Sequence, residues 1–100
     1  MLVRVGEAKD FVAGQMRAVN VAGTTVDIAS ANGQLYAIDD TCTHMGCSLA
    51  TGTLDGTIVT CRCHGSQFDV TSGDVLRGPA EDPVRSRQVE VQAGDLLVEA

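Results

Sequence analysis

All of the chain's cysteines and histidines lie in two short segments. The first box is residues 42–47 (CTHMGC), and the second box is residues 61–66 (CRCHGS). Thiols and imidazoles are the side chains that bind zinc, copper and iron, whereas magnesium and calcium prefer oxygen ligands. Two boxes that hold every soft ligand of the chain therefore predict a transition-metal site built from two loops.

The spacing of the ligands argues against zinc. The boxes contain Cys-x-His and, after sixteen intervening residues, Cys-x-x-His. Zinc sites with two cysteines and two histidines usually take the cysteines from one segment and the histidines from another. A four-coordinate zinc site would also leave Cys47 and Cys63 unused. Gly46 and Gly65 stand where we expect the backbone to come close to something bulky. A single zinc ion remains the alternative to a bulkier metal group at this site.

An iron–sulfur cluster accounts better for the mixture of ligands. In one class of [2Fe–2S] centre, two histidines replace two cysteines on one iron, which raises the reduction potential. Each box then supplies a cysteine to one iron and a histidine to the other. We expect Cys42 and Cys61 to hold the first iron, and His44 and His64 to hold the second.

The two boxes resemble those of the Rieske family, which read Cys-Thr-His-x-Gly-Cys and Cys-Pro-Cys-His-Gly-Ser. The run GSQFD at 65–69, together with Gly73 and the GPA at 78–80, is also similar to family sequences. The likeness is close over residues 35–83. It implies an all-β Rieske fold, an antiparallel β-sandwich of three stacked sheets. Residues 1–100 would form a single domain, with a small cluster-binding subdomain at about 41–83.

The resemblance also assigns the two remaining cysteines. In the family, the cysteines at the places of Cys47 and Cys63 form a disulfide that joins the two cluster loops. We expect the same bridge here, and we expect it to be buried, which would protect it from cytosolic reductants. The alternative is a pair of free buried thiols.

The residues around the cluster follow from the same resemblance. A serine at the place of Ser66 donates a hydrogen bond to a bridging sulfide, and a tyrosine at the place of Phe68 donates to a cysteine sulfur. Here the serine is kept and the tyrosine is lost, so we expect an intermediate reduction potential. A proline loop covers the third side of the cluster in the family. We expect the residues that surround the cluster and its ligands, without binding iron themselves, to be Met45, Gly46, Gly65, Ser66, Phe68 and Pro79.

The remaining sequence predicts the strands that must position the two boxes. One hundred residues make one domain, with 44% hydrophobic and 20% charged residues. β-branched runs alternate with turn signals such as Asn32-Gly33, a pattern typical of an antiparallel sandwich. We expect eight to ten short strands, a helical turn or loop over residues 7–11 that buries Phe11, and one continuous strand over 87–92. A net charge of −6 argues against nucleic-acid binding.

The predicted function is electron transfer by a carrier that is not itself an enzyme. Both histidines are committed to iron, and no other histidine or free cysteine is left for substrate chemistry. We expect a monomeric, cytoplasmic ferredoxin without a membrane span, carrying electrons from a flavin reductase to a Rieske-type terminal oxygenase. One alternative is the soluble head of a quinol-oxidising, cytochrome bc-type Rieske subunit. Another is a non-redox small subunit like that of nitrite reductases.

Overall fold

The computed structural model describes all residues from 1 to 100, and its regular secondary structure consists almost entirely of short strands. Two 3₁₀ helices of one turn each are present, Ala8–Asp10 and Leu49–Thr51. No helix is long and apolar enough to cross a bilayer. The strands in chain order are β1 Leu2–Glu7, β2 Met16–Val21, β3 Thr24–Ala31, β4 Gln34–Asp39, β5 Thr53–Asp55, β6 Ile58–Thr60, β7 Gln67–Asp69, β8 Val75–Arg77, β9 Ser86–Arg87, β10 Val89–Gln92 and β11 Asp95–Glu99.

The strands form three antiparallel sheets, as the Rieske resemblance implied. The first sheet has the order β1-β11-β10, the second β2-β3-β4-β9, and the third β5-β6-β7-β8. Asn32 and Gly33 both have positive φ, at 52° and 79°, which closes the predicted hairpin between β3 and β4. The prediction of an all-β antiparallel fold is therefore confirmed.

The strand count differs from the sequence prediction at two places. The expected strand over residues 87–92 is interrupted at Gln88, because β9 pairs with β4 in the second sheet and β10 pairs with β11 in the first. One alternating run thus serves two sheets. The short β5 was not predicted; its central Leu54 is half-buried between two exposed residues, and its only partner is β6.

The middle sheet is covered on both faces, which explains the row of six buried residues in β3. Val26 and Ile28 face the first sheet, in a core that also contains Phe11, as predicted. Ala29 and Ile38 face the third sheet, in a second core that includes both free cysteines. The second core therefore connects the middle sheet to the two boxes.

Candidate metal centre

The first box is a tight loop closed by two backbone hydrogen bonds. The N–H of Cys42 donates to the carbonyl of Cys47 at 2.8 Å, and the N–H of Gly46 donates to the carbonyl of Cys42 at 2.9 Å. An isolated β-bridge between Thr41 and Ser48 closes the base of the loop. The box is therefore a self-contained turn that follows the end of β4.

The second box repeats this pattern directly after β6. The N–H of Cys61 donates to the carbonyl of Ser66 at 2.8 Å, and the N–H of Gly65 donates to the carbonyl of Cys61 at 3.1 Å. Gly46 and Gly65 have φ of 76° and 80°, in the left-handed region. A Cβ on either glycine would meet no protein atom within 4 Å. Within the protein, the turn conformation rather than crowding requires glycine at both places.

The equivalence of the two turns shows how the candidate ligands are arranged. When the boxes are aligned from Cys42 and Cys61, the third position holds His44 in one and Cys63 in the other. His64 follows one position later than His44 in its box. The two imidazoles nevertheless lie side by side, with ring centroids 5.2 Å apart and planes at 88°. Both histidines are exposed, so they present a common edge to solvent.

A disulfide joins the boxes and confirms the predicted pairing of Cys47 with Cys63. Their Cα atoms are 6.5 Å apart, and sixteen positions separate them in sequence. The expectation that the bridge is buried is wrong, because Cys47 is half-buried and Cys63 is exposed. Cys42 and Cys61 are free and each is only 2% exposed. The chain thus has two buried thiols and a surface cross-link.

The donor set fits a mixed-ligand [2Fe–2S] cluster. The sulfur atoms of Cys47, Cys61 and Cys63 lie within 4.8 Å of one another, which at first suggests a thiolate site. Two of these sulfurs are bonded to each other in the disulfide, so they are not thiolates. The donors that remain are two buried cysteines and two exposed histidines, the combination that one class of [2Fe–2S] centre uses.

The proline loop, residues 78–83, contacts both boxes. The N–H of Ala80 donates to Oγ of Ser66 at 2.9 Å, and the hydroxyl of Thr43 donates to the carbonyl of Asp82 at 2.7 Å. Pro79, which follows a cis peptide bond, is itself exposed. The loop is therefore hydrogen-bonded to both boxes and connects them.

Ser66 and Phe68 are buried at the end of the second box and just after it. Ser66 is 1% exposed and its oxygen accepts the N–H of Ala80, so its own hydrogen is free to donate elsewhere. Phe68 is fully buried in the core that contains Cys42 and Cys61. Of the other residues expected around the cluster, Met45 turns its side chain outward and is 60% exposed, which leaves only its backbone to act on a cluster.

We predict that Ser66→Ala lowers the reduction potential and that Phe68→Tyr raises it. Donors to sulfur stabilise the more negative, reduced state. A hydrogen bond worth about 1 kcal/mol corresponds to about 40 mV for a one-electron couple. Protein-film voltammetry measures both shifts, with the exposed Ser72→Ala as a control that should not move the potential. Identical potentials for all the variants would show that neither position acts on the cluster.

Sequence reasoning missed Asp40, which anchors the first box. Its Oδ1 accepts the N–H of Ala50 at 2.8 Å, and its Oδ2 accepts the hydroxyl of Ser48 at 2.5 Å. Its carbonyl accepts the N–H of Leu49 at 2.7 Å. Asp40 is 4% exposed. The available signal was an aspartate two residues before the box, since aspartate side chains often accept hydrogen bonds from nearby backbone N–H groups.

Comparison with known proteins defines the class of this chain. The family model of the Rieske [2Fe-2S] domain matches residues 1–88. The chain belongs to the Rieske [2Fe–2S] family, and its cofactor is a [2Fe–2S] cluster.

Its relatives include ferredoxins of dioxygenase systems. Ferredoxin CarAc of Metapseudomonas resinovorans is 37% identical over 97 residues, covering 96% of this chain and 91% of that protein. The ferredoxin of carbazole 1,9a-dioxygenase from Nocardioides aromaticivorans IC177 has a TM-score of 0.94 at 29% identity, covering 98% of this chain and 96% of the other. A ferredoxin solved in complex with the oxygenase of carbazole 1,9a-dioxygenase has a TM-score of 0.91 at 37% identity, covering 97% and 91%. The predicted electron-transfer component, not an enzyme in itself, is confirmed.

Proposed function

We propose that Cys42 and Cys61 hold one iron of the cluster, and that His44 and His64 hold the other. The donor chemistry and the placement of the four residues support this assignment. Both thiols are buried in the core, and the paired imidazoles are exposed. When bound, the cluster supplies reversible one-electron chemistry.

The residues around the donors have separate tasks in this proposal. The disulfide fixes the spacing of the two boxes, and the proline loop keeps water from the third side. The exposed edge of His44 and His64 is the route by which electrons enter and leave. A side chain that bonds to iron and also reaches the surface gives a redox partner the shortest path.

The physiological role that we propose is delivery of electrons from a flavin reductase to a Rieske-type terminal oxygenase. The observation that carries it is the near full-length similarity to a ferredoxin solved together with a dioxygenase oxygenase. We further propose that the chain works as a monomer in the cytoplasm. Sedimentation of the cluster-loaded protein and fractionation of the cells that produce it test these two parts.

A reconstituted electron-transfer assay tests the proposed partners. The cluster-loaded chain is mixed with NADH, a flavin ferredoxin reductase, and the oxygenase component of carbazole 1,9a-dioxygenase with carbazole. We expect substrate oxidation that depends on the chain. A parallel sample contains quinol and cytochrome bc membranes. Reduction of the chain by quinol, together with no oxidation of carbazole, would contradict the role.

The second candidate is the head of a quinol-oxidising Rieske subunit. The Cys47–Cys63 disulfide and the buried hydroxyl of Ser66 favour it, since the family resemblance connects both with high-potential members. Phe68 argues against it, because the tyrosine hydroxyl of those members is missing. The quinol sample above separates the two candidates.

A further inference from the structure

Each box contains one residue whose side chain has no role inside the protein. In both boxes the candidate iron ligands, the bridging cysteine and the turn glycine account for four of the six residues. The hydroxyl of Thr43 donates to the proline loop, and the buried hydroxyl of Ser66 accepts a hydrogen bond from the same loop. The residues left over are Met45 and Arg62, and both are exposed. Their side chains are therefore available to a molecule outside the chain.

Met45 is an exposed apolar side chain directly after His44. Its side chain is 60% exposed. Single exposed hydrophobic residues are common on protein surfaces, so exposure alone decides nothing. The position of Met45 matters more, because the imidazole edge of His44 belongs to the proposed route for electrons. A protein that docks closely on this edge also covers Met45, and a methionine side chain adapts its shape to the surface that covers it.

Arg62 is one of two basic side chains that no group of the chain neutralises. Four of the seven basic side chains are in ion pairs with carboxylates: Arg4, Lys9, Arg85 and Arg87. The guanidinium of Arg17 lies 5.7 Å from the centroid of the Phe11 ring. The two that remain, Arg62 and Arg77, are exposed. Arg77 pairs with Gln67, the first residue after the second box, so both free cations border that box.

The acidic side chains nearest to the boxes are on the side of the first box. Glu81 and Asp82 are exposed residues of the proline loop, and neither forms an ion pair within the protein. The carbonyl of Asp82 accepts the hydroxyl of Thr43 at 2.7 Å, which places this part of the loop against the first box. The surface is therefore basic beside the second box and acidic beside the first.

We propose that Met45 and Arg62 are specificity-determining residues that select the redox partner. The partner presents an apolar recess to Met45 and a carboxylate to the guanidinium of Arg62. A carboxylate fits because it pairs with arginine through two parallel hydrogen bonds, and the chain offers Arg62 no carboxylate of its own. The net charge of −6 repels acidic proteins, so such a partner approaches favourably only with the second box foremost. Both assignments rest on the proposed electron transfer through the histidine edge.

Two small oxidants of opposite charge test the field that Arg62 produces at this edge. The reduced, cluster-loaded chain is mixed in a stopped-flow instrument with the anion ferricyanide or with the cation hexaammineruthenium(III), and each oxidant takes up one electron. We expect Arg62→Glu to slow the reaction with ferricyanide several-fold and to speed the reaction with hexaammineruthenium(III). The matched control is Lys9→Glu, which changes the net charge equally but lies in the 3₁₀ helix Ala8–Asp10, and it should move both rates much less.

The direction of the two changes separates the local field from a change in reduction potential. A shifted potential would move both rates in the same direction, whereas a local charge moves them in opposite directions. Rates in Arg62→Glu that move together, or that equal those of Lys9→Glu with both oxidants, would overturn the role of Arg62. This comparison needs no protein partner.

The reconstituted assay with the reductase and the oxygenase tests the docking itself. We expect Met45→Ala and Arg62→Glu each to raise the KM for the chain several-fold with little change in kcat. The effect of Arg62→Glu should shrink at about 0.5 M salt, since exposed charges are then screened. Val91→Ala is the control for Met45→Ala, because Val91 is 54% exposed on β10, and it should leave KM unchanged. An unchanged KM in Met45→Ala or in Arg62→Glu would overturn the proposal. A wild-type chain that passes no electrons to the oxygenase would instead refute the proposed function, while the two small oxidants still decide the role of Arg62.

Discussion

Cys61→Ser should leave the protein without its cluster. Cys61 is a free, buried thiol at the start of the second box, and its proposed role is to bind iron as a thiolate. A serine hydroxyl is a hard oxygen donor that stays protonated at neutral pH when it is not bound to metal, so it is a much poorer ligand for an iron–sulfur cluster than a soft thiolate. The expected result is a folded protein that lacks the visible absorbance and contains almost no iron or acid-labile sulfide.

The matched control is the double variant Cys47→Ser/Cys63→Ser. It makes the same chemical change twice but leaves Cys42 and Cys61 in place, so it should still assemble the cluster. The opposite pattern, with the cluster kept in Cys61→Ser and lost in the double variant, would contradict the assignment. It would show that Cys47 and Cys63, whose sulfurs lie within 4.8 Å of that of Cys61, hold the metal without it.

Loss of the disulfide should be the second large effect. The bridge closes a loop across sixteen positions. A cross-link over a loop of that size stabilises the folded state by about 3 kcal/mol, mainly by restricting the unfolded chain. For a domain of this length we expect the thermal midpoint of cluster bleaching to fall by roughly 15 °C in Cys47→Ala/Cys63→Ala.

Reducing agent provides the control for that experiment. Cys63 is exposed, so dithiothreitol should open the bridge in the folded wild type and lower its midpoint to that of the double variant. The double variant itself should not respond to the reagent. Equal midpoints for the oxidised wild type and the double variant would show that the bridge does not stabilise the cluster loops.

The two boxes and, through the family resemblance, the disulfide between them were predictable because the boxes are local sequence patterns; the ligand assignment remains a prediction. Each box is six residues long, closes on its own backbone, and carries its glycine at the turn position. The order of cysteine and histidine within a box is a property of the sequence alone and does not depend on where the fold places the box. The same holds for the hairpin at Asn32-Gly33, where the turn residues alone decide the conformation.

The features that escaped sequence reasoning depend on tertiary contacts. Whether the bridge between Cys47 and Cys63 is buried depends on what covers the boxes, which no local pattern records. The break at Gln88 arises because the residues before it pair with β4 in the second sheet and those after it pair with β11 in the first sheet. Asp27 reads as an ordinary polar residue in a half-exposed strand. Only the covering of the middle sheet on both faces makes it a buried acid.

The ligation of the cluster is the central claim, and electron paramagnetic resonance of the dithionite-reduced protein tests it most directly. Two histidines on one iron shift the reduced spectrum to a lower average g than four thiolates do. We predict that low average g, with the signal lost in Cys61→Ser and kept in Cys47→Ser/Cys63→Ser. An average g typical of all-cysteine [2Fe–2S] ferredoxins, or a colourless and silent protein that contains zinc, would contradict the assignment of Cys42, Cys61, His44 and His64.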